Sequence, residues 1–293
     1  MQWEQGRGRL FSGCRHVINS RVSEAAIRVE SLEKWFPPTQ GGWRAFLQPF
    51  ARPTFAALRG ISLEVQSGEA VALLGANAAG KTTLLRILAT LLVPTKGHAL
   101  LAGHDTEKEP AAVRKNLGYH AGSDLGFYAR LSGRENLRFF GRLNHLEGAD
   151  LEGKIQKFAK RFELEGVIDR QVRTLSSGTV QRLSLLRALL HEPTVLLLDE
   201  PTRSLDAIAA AEFRHFLKSE VLAQRRASVL FASHTLPEIE FLADRVAILH
   251  DGKILAIDSS AALQKTYGCG SLEEVFLRVT GRNVSSSEEA HPA

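Results

Sequence analysis

Apolar and polar positions along the chain form short runs that predict β-strands. In residues 26–30 and 61–65, apolar side chains alternate with polar ones, which is typical of half-buried strands. Residues 70–74, 194–198 and 228–232 are almost continuously apolar, as in strands that are covered on both faces. The pattern therefore predicts five strands, and it places the last three inside a buried sheet.

Helical sequence separates these strands and predicts an α/β fold. From about residue 124 to residue 190, apolar side chains recur mostly at helical spacing. Strands that alternate with helices favour a mainly parallel sheet with helices on both faces. We expect a single domain over residues 25–281, with a helical subdomain at about residues 124–188.

Three segments depart from this pattern. Residues 1–24 are rich in Arg, Gly and Ser, and residues 282–293 are poor in apolar side chains, so we expect a mobile leader and a disordered tail. The stretch 37–55 has apolar residues at the spacing of one helical face, namely Trp43, Phe46, Leu47 and Phe50. That face either packs on the domain's own sheet or contacts a membrane subunit or the bilayer surface.

Charge is unevenly distributed. The net charge is +5, and residues 1–59 hold nine basic and four acidic side chains, so the whole excess lies there. A basic segment is attracted to acidic surfaces such as lipid headgroups or RNA, but a solvated leader has the same composition. No apolar run reaches the length of a membrane span, the start lacks a secretory signal, and the two cysteines form no metal or disulfide pattern. We therefore expect a cytoplasmic protein.

Residues 75–82 fit the phosphate-binding pattern GxxxxGK[ST] between a predicted strand and a predicted helix. In that context the backbone N–H groups of the turn and the positive end of the helix point at one spot, which makes an anion site. Lys81 would place its charge on the β- and γ-phosphates, and Thr82 its hydroxyl on Mg²⁺. The context predicts a nucleoside triphosphate site and not a chance glycine turn.

The strand at residues 194–198 is followed by two acidic residues, Asp199 and Glu200. Ligands of open α/β sheets collect at the carboxyl ends of strands, so we expect Asp199 to lie near the phosphates and hold Mg²⁺. Glu200 could polarise the attacking water as a general base. The alternative is that the pair only caps a helix beginning at Pro201.

Two weaker signals follow the same design. His234 comes directly after the strand at residues 228–232, where it could contact the γ-phosphate, although a lone histidine is often a surface or core residue. Ser176 could be the N-cap of a helix, whose free N–H groups would form a second anion site. A Ser-Ser-Gly turn before a helix is common, so this signal depends on the motifs around it.

Together these motifs resemble those of the ABC ATPases, in the same order: the phosphate loop and residues 175–179, 198–201, 204–206 and 232–234. The resemblance covers about residues 27–281, and it implies a P-loop NTPase core with a mainly parallel sheet, an N-terminal antiparallel β subdomain and an inserted helical subdomain. It is greatest to the nucleotide-binding subunits of ABC-2 type exporters of drugs, polysaccharides or lipids, which work with a separate membrane subunit. Residues 128–137 and 271–277 support this narrower match.

The resemblance implies a head-to-tail dimer, homomeric or heteromeric, with two ATP molecules and Mg²⁺ between its subunits. The phosphate loop of one subunit would bind ATP through Gly75, Ala76, Asn77, Ala78, Ala79, Gly80, Lys81, Thr82 and Thr83. The signature turn of the opposite subunit would cover it with Ser176, Ser177, Gly178 and Thr179. Glu200 and His234 would be catalytic, and Thr82 and Asp199 would bind the metal.

The same resemblance implies roles at the dimer interface, at the adenine base of ATP and in binding a membrane partner. Ser204 and Asp206 would form a loop at the dimer interface, and Phe36 or Trp35 would stack on the adenine. The chain would be a peripheral ATPase subunit at the cytoplasmic face of the membrane, bound to a transmembrane permease and not to nucleic acid. Hydrolysis would drive the permease between inward- and outward-facing states.

Two alternatives to a transport ATPase stay open, and departures from the family pattern bear on the second of them. Ala78 replaces a usual glycine, which costs about 1–2 kcal/mol only if φ is positive there. Ser177 and Thr179 replace a usual Gly and Gln, and the family's glutamine three residues after Tyr119 is absent. The alternatives are a non-transport ABC protein that acts on nucleic acid and a non-hydrolysing, ATP-binding regulatory module.

Overall fold

The computed structural model of the chain describes residues 25–37, 55–122 and 126–281. The expected leader at residues 1–24, the tail at residues 282–293 and the apolar face with Trp43 lie outside the described residues. Within these ranges, none of the helices combines the length and the hydrophobicity that crossing a bilayer requires.

The described residues contain two β-sheets. Their strands are β1 (Ala25–Phe36), β2 (Phe55–Gln66), β3 (Ala70–Gly75), β4 (Lys96–Leu101), β5 (His104–Asp105), β6 (Leu117–His120), β7 (Val195–Asp199), β8 (Ser228–Ser233), β9 (Arg245–His250) and β10 (Lys253–Asp258). Six form a sheet of order β10-β9-β3-β8-β7-β6, in which only β10 is antiparallel to its neighbour. The other four form an antiparallel sheet of order β2-β1-β4-β5.

Helices cover the larger sheet and lead away from its strand ends. They are α1 (Lys81–Leu88), α2 (Pro110–Asn116), α3 (Gly133–Leu143), α4 (Gly148–Arg161), α5 (Ser177–Leu189), α6 (Ala207–Phe216), α7 (Leu236–Leu242), α8 (Ser260–Tyr267) and α9 (Leu272–Thr280). A π-helical stretch, Leu217–Gln224, continues α6. Helices α3, α4 and most of α5 fall within the predicted helical subdomain.

The larger sheet separates two hydrophobic cores, because alternate residues of its strands point to opposite faces. Val71 and Leu73 of β3 pack with α1 and the antiparallel sheet. Ala72 and Leu74 pack on the other side with helices α3 to α6. This confirms the α/β fold with a covered, mainly parallel sheet and an antiparallel β subdomain.

The five predicted strands are all present, but the other five were not predicted. Strand β6 has only four residues, one of which is Gly118, so its apolar run is too short to recognise. Strand β9 has the buried core sequence Val-Ala-Ile-Leu, followed by Asp251-Gly252. An Asp-Gly pair between two strands is typical of a hairpin turn, so β9 and β10 carry a signal that the prediction did not use.

Candidate functional site

The phosphate loop runs from the end of β3 to the start of α1, and its two glycines have no room for a side chain. A Cβ on Gly75 would lie 2.5 Å from the carbonyl oxygen of Leu249 in β9. Gly80 has a φ of +109°, and a Cβ there would lie 2.7 Å from the carbonyl oxygen of Ala57 in β2. Close packing against two strands therefore requires glycine at both ends of the loop.

Lys81, the first residue of α1, folds back across the loop. Its side chain is buried, and Nζ donates hydrogen bonds to the carbonyl oxygens of Gly75, at 2.5 Å, and Ala76, at 3.2 Å. Burial lowers the pKa of Lys81, while the nearby carboxylates of Glu200 and Asp199 favour the charged form. The ammonium group is thus held on the loop beside two acidic side chains.

Thr82 joins the phosphate loop to the end of β7. Its Oγ1 donates a hydrogen bond to Oδ2 of Asp199 at 2.7 Å, across 117 residues of sequence. Burial raises the pKa of Asp199, and the charge of Glu200 adds to this effect. A carboxylate and a hydroxyl oxygen at this separation are the hard donors that Mg²⁺ prefers. The structure therefore brings the two predicted metal-binding residues together.

Glu200 and His234 meet at the carboxyl ends of β7 and β8. Oε2 of Glu200 lies 2.6 Å from Nδ1 of His234, and the Glu200 N–H donates to the carbonyl oxygen of Ala232 at 2.9 Å. Glu200 has a φ of +49°, which is unfavourable for a residue with a side chain. The alternative role as a helix cap is wrong, because the next helix, α6, begins at Ala207.

Asp206 is the residue that caps α6, and this links the predicted interface loop to a helix start. Its Oδ1 accepts hydrogen bonds from the N–H groups of Ile208, at 3.1 Å, and Ala209, at 2.9 Å. Ser176 caps α5 in the same way and accepts from the N–H of Thr179 at 3.3 Å. These bonds satisfy helix N–H groups that otherwise have no partner.

The signature turn and the interface loop are packed together. A Cβ on Gly178 would lie 2.9 Å from the carbonyl oxygen of Ser204, so the approach requires glycine. Ser176 and Ser177 are exposed at this point, and Ile208 has 74% of its surface exposed. In the described part of the chain, no hydrogen bond connects this pair of segments to the phosphate loop. Within one chain, the signature turn and the interface loop therefore form an exposed surface that is not hydrogen-bonded to the phosphate loop in the described residues.

Phe36 lies at the end of β1 that faces the phosphate loop. It pairs with Phe55 of β2. Two residues further along β2, the carbonyl oxygen of Ala57 lies close to Gly80 of the phosphate loop. The Phe36 ring is half-buried, and the Lys34 ammonium lies 5.2 Å from its centroid. Trp35 next to it is exposed. Stacking of either ring on a base stays a prediction.

Ala78 has a φ of +64°. The cost of about 1–2 kcal/mol for an alanine with a positive φ therefore applies at this position. We expect Ala78→Gly to raise the free energy of unfolding relative to Ala76→Gly by about 1–2 kcal/mol. Ala76 is a suitable control because it lies in the same loop without a positive φ, so glycine there only adds freedom to the unfolded chain. Urea unfolding measures both variants, and an equal change at both positions would contradict a strained Ala78.

Gly122 stands where the family usually has glutamine, and a side chain does not fit at this position in the structure. It stands three residues after Tyr119, has a φ of +67°, and a Cβ there would lie 2.5 Å from the carbonyl oxygen of Asp199. Three buried, hydrogen-bonded polar residues, namely His120, Gln181 and Ser184, were also not predicted, and Gln181 bonds to the carbonyl oxygen of Glu200. Their roles depend on contacts between distant segments, and no local motif marks them.

Comparisons with known proteins agree with this geometry. Residues 58–203 match the family model described as "ABC transporter". The chain is 36% identical over 229 residues to "ABC transporter ATP-binding protein NatA" of Bacillus subtilis (strain 168), covering 78% of this chain and 92% of that protein. It is 38% identical to "Daunorubicin resistance ATP-binding protein DrrA3" of Streptomyces coeruleorubidus, covering 77% and 70%.

Solved structures share the fold. A chain described as the ATP-binding subunit of an ABC transporter superposes with a TM-score of 0.74 at 24% identity, covering 87% of this chain and 99% of that one. The dimeric cassette MJ0796, described as bound to ADP and Pi, superposes with a TM-score of 0.70 at 22% identity. The family match and the two relatives show that this chain belongs to the ABC transporter family, as an ATP-binding and ATP-hydrolysing subunit.

Proposed function

We propose that this ATPase works as a head-to-tail dimer that encloses two ATP molecules and powers export through a separate membrane subunit. The observation that carries the proposal is the division of the site within one chain. The phosphate loop, Asp199 and Glu200 form one half, and the exposed start of α5 with Ser176 forms the other. A second chain, turned head to tail, would join the two halves.

Each part of the site has a role in this proposal. Lys81 binds the β- and γ-phosphates, together with backbone N–H groups at the start of α1. Thr82 and Asp199 hold Mg²⁺, which supplies charge neutralisation at the phosphates when it is bound. Glu200, oriented by the 2.6 Å contact with His234, accepts the proton of the attacking water. Phe36 or Trp35 stacks on the adenine.

Export and membrane location rest on the relatives. NatA is named as an ABC transporter ATP-binding protein and DrrA3 as a daunorubicin resistance ATP-binding protein. We propose that this chain, too, binds a permease at the cytoplasmic face of a membrane. The non-hydrolysing module rests on Ala78 and the missing glutamine, and the family match argues against it. No observation on the described residues favours the nucleic-acid-directed ABC protein.

The composite site is tested by Ser176→Arg. A large cation at the start of α5 would block the approach of another subunit's ATP, while the phosphate loop of the same chain is unchanged. We expect the variant to bind Mg-ATP with a Kd within about twofold of the parent, but to lose ATP-dependent dimerisation and at least about tenfold in turnover. Nucleotide titration, size-exclusion chromatography and phosphate release measure the three properties.

A matched control is Ser271→Arg, which removes a similar N-cap from α9, where Ser271 accepts from the N–H of Glu274. It should keep both dimerisation and turnover. Mixing Ser176→Arg with Lys81→Ala subunits should leave at most one intact composite site in each mixed dimer. Loss of ATP binding by Ser176→Arg alone would contradict the division of the site between two subunits.

A further inference from the structure

A chain of buried polar side chains connects β6, α5 and the turn after β7. Nε2 of Gln181 lies 2.9 Å from Nε2 of His120, and Nδ1 of His120 lies 2.9 Å from Oγ of Ser184. The same Gln181 nitrogen lies 2.8 Å from the carbonyl oxygen of Pro201 and 3.3 Å from that of Glu200. His120 is completely buried, and Gln181 and Ser184 nearly so.

The hydrogen-bond partners fix the orientation of each group. Carbonyl oxygens only accept, so the amide nitrogen of Gln181, and not its oxygen, must face Glu200 and Pro201. Its second N–H then points at His120, whose Nε2 must accept. The His120 proton therefore lies on Nδ1 and is donated to Ser184. Burial lowers the pKa of His120 to about 3, which keeps the ring neutral and able to accept at neutral pH.

The backbone that Gln181 holds is the strained turn of the proposed general base. Glu200 has a φ of +49°, a conformation that persists only when its surroundings impose it. Its N–H is fixed by Ala232 and its carboxylate by His234. The carbonyl oxygen of Glu200 accepts from the side chain of Gln181 and from the N–H of Arg203, both at 3.3 Å. Gln181 also donates to the carbonyl oxygen of Pro201 at 2.8 Å, so it ties two successive carbonyl groups of the turn to α5.

We propose that Gln181, oriented by His120, is a positioning residue that fixes the Glu200–Pro201 turn and thereby aims the Glu200 carboxylate. The inference rests on the role of Glu200 proposed above. It also gives α5, the helix that carries the signature turn, a direct hydrogen bond to the backbone of the catalytic turn. His120 acts through Gln181, because its side-chain hydrogen bonds in the described residues go to Gln181 and Ser184 and not to Glu200 or Pro201.

The test replaces Gln181 by methionine, which has a similar shape and no amide. Because a displacement of about 1 Å in a reacting group can cost about 100-fold, we expect kcat to fall by about 10- to 100-fold. The Kd for Mg-ATP should stay within about twofold, since the phosphate loop is not touched. His120→Leu removes the acceptor of the Gln181 N–H and fills the buried site, and it should cause a smaller fall in kcat. If Gln181→Met does not fold, His120→Leu is the variant that tests the proposal.

Two comparisons separate positioning from a general loss of structure. The double variant His120→Leu, Gln181→Met should be no slower than Gln181→Met alone, because His120 acts through Gln181. In a Glu200→Gln background, Gln181→Met should cause no further fall, because there is no base left to aim. His191→Leu is the matched control: it removes another histidine bond to β6, at 3.0 Å from the carbonyl oxygen of Leu117, and should keep kcat within about twofold.

The inference would be overturned by additive effects in the double variant or by an equal fall in the Glu200→Gln background. An unchanged kcat in Gln181→Met would also overturn it, and the role of Glu200 would stand if Glu200→Gln were still slow. If Glu200→Gln itself hydrolysed ATP at the parental rate, the proposed base would be wrong. The two failures are therefore distinguishable by single variants.

Discussion

Replacing Glu200 by glutamine is expected to slow ATP hydrolysis at least about 100-fold while ATP still binds. Glutamine keeps the size of the side chain and the contact with His234, but it removes the carboxylate that we propose accepts the proton of the attacking water. The bound nucleotide should then persist, and the protein should accumulate as an ATP-dependent dimer. Phosphate release and size-exclusion chromatography with and without Mg-ATP measure these effects.

A matched control is Glu240→Gln, which makes the same change at an exposed position on α7. We expect it to leave turnover and oligomeric state unchanged. Parental turnover in Glu200→Gln would remove Glu200 from the chemistry. ATP binding that is lost together with turnover would instead indicate that the carboxylate supports the loop, through its attraction for Lys81.

Lys81→Ala should strongly weaken ATP binding and hydrolysis. The substitution removes a buried ammonium that, in the proposed site, contacts the phosphates, and a charge-assisted contact of this kind is worth about 1.5–3 kcal/mol, or roughly 10- to 150-fold in Kd. Turnover should fall at least as far, because in the proposed mechanism the same charge stabilises the transferred phosphoryl group. Nucleotide titration and phosphate release measure the two effects separately.

Thermal unfolding must accompany this measurement, because Lys81 also donates to the carbonyl oxygens of Gly75 and Ala76. Lys115→Ala, at an exposed position near the end of α2, is the control for loss of one positive charge. If Lys81→Ala bound Mg-ATP within about twofold of the parent, the assignment of the phosphate site would be wrong. A lower melting temperature with normal binding would leave Lys81 only a structural role.

The phosphate loop could be predicted from the sequence because its determinants are local. Glycine, Lys81 and Thr82 lie within eight residues, between a strand and a helix whose patterns are clear. Asp199 could be placed near them because parallel strands end at the same edge of a sheet. The Thr82–Asp199 hydrogen bond confirms this placement.

The residues that escaped prediction act through contacts between distant segments. Gln181 and His120 are 61 residues apart, and each looks like an ordinary polar residue in its own segment. The missing glutamine was visible in the sequence, but the close approach of Gly122 to the carbonyl of Asp199 was not, since Asp199 belongs to another segment of the chain. Strand β6 was missed for a different reason, its length of four residues.

The position of β3 in the sheet has a consequence for the synthesis of the protein. Its neighbours β8 and β9 come late in the chain. Next to the pairing of β3 with β8, the N–H of Gly68 donates to Oγ of Ser228, which lies 160 residues later. At about 5–20 residues per second, a ribosome needs roughly 8–30 s to deliver β8 after β3 has emerged. Throughout that interval a fully apolar strand has both edges unpaired, which exposes it to aggregation. A chaperone that shields residues 70–75 of the nascent chain would raise the yield of folded ATPase without changing its final stability.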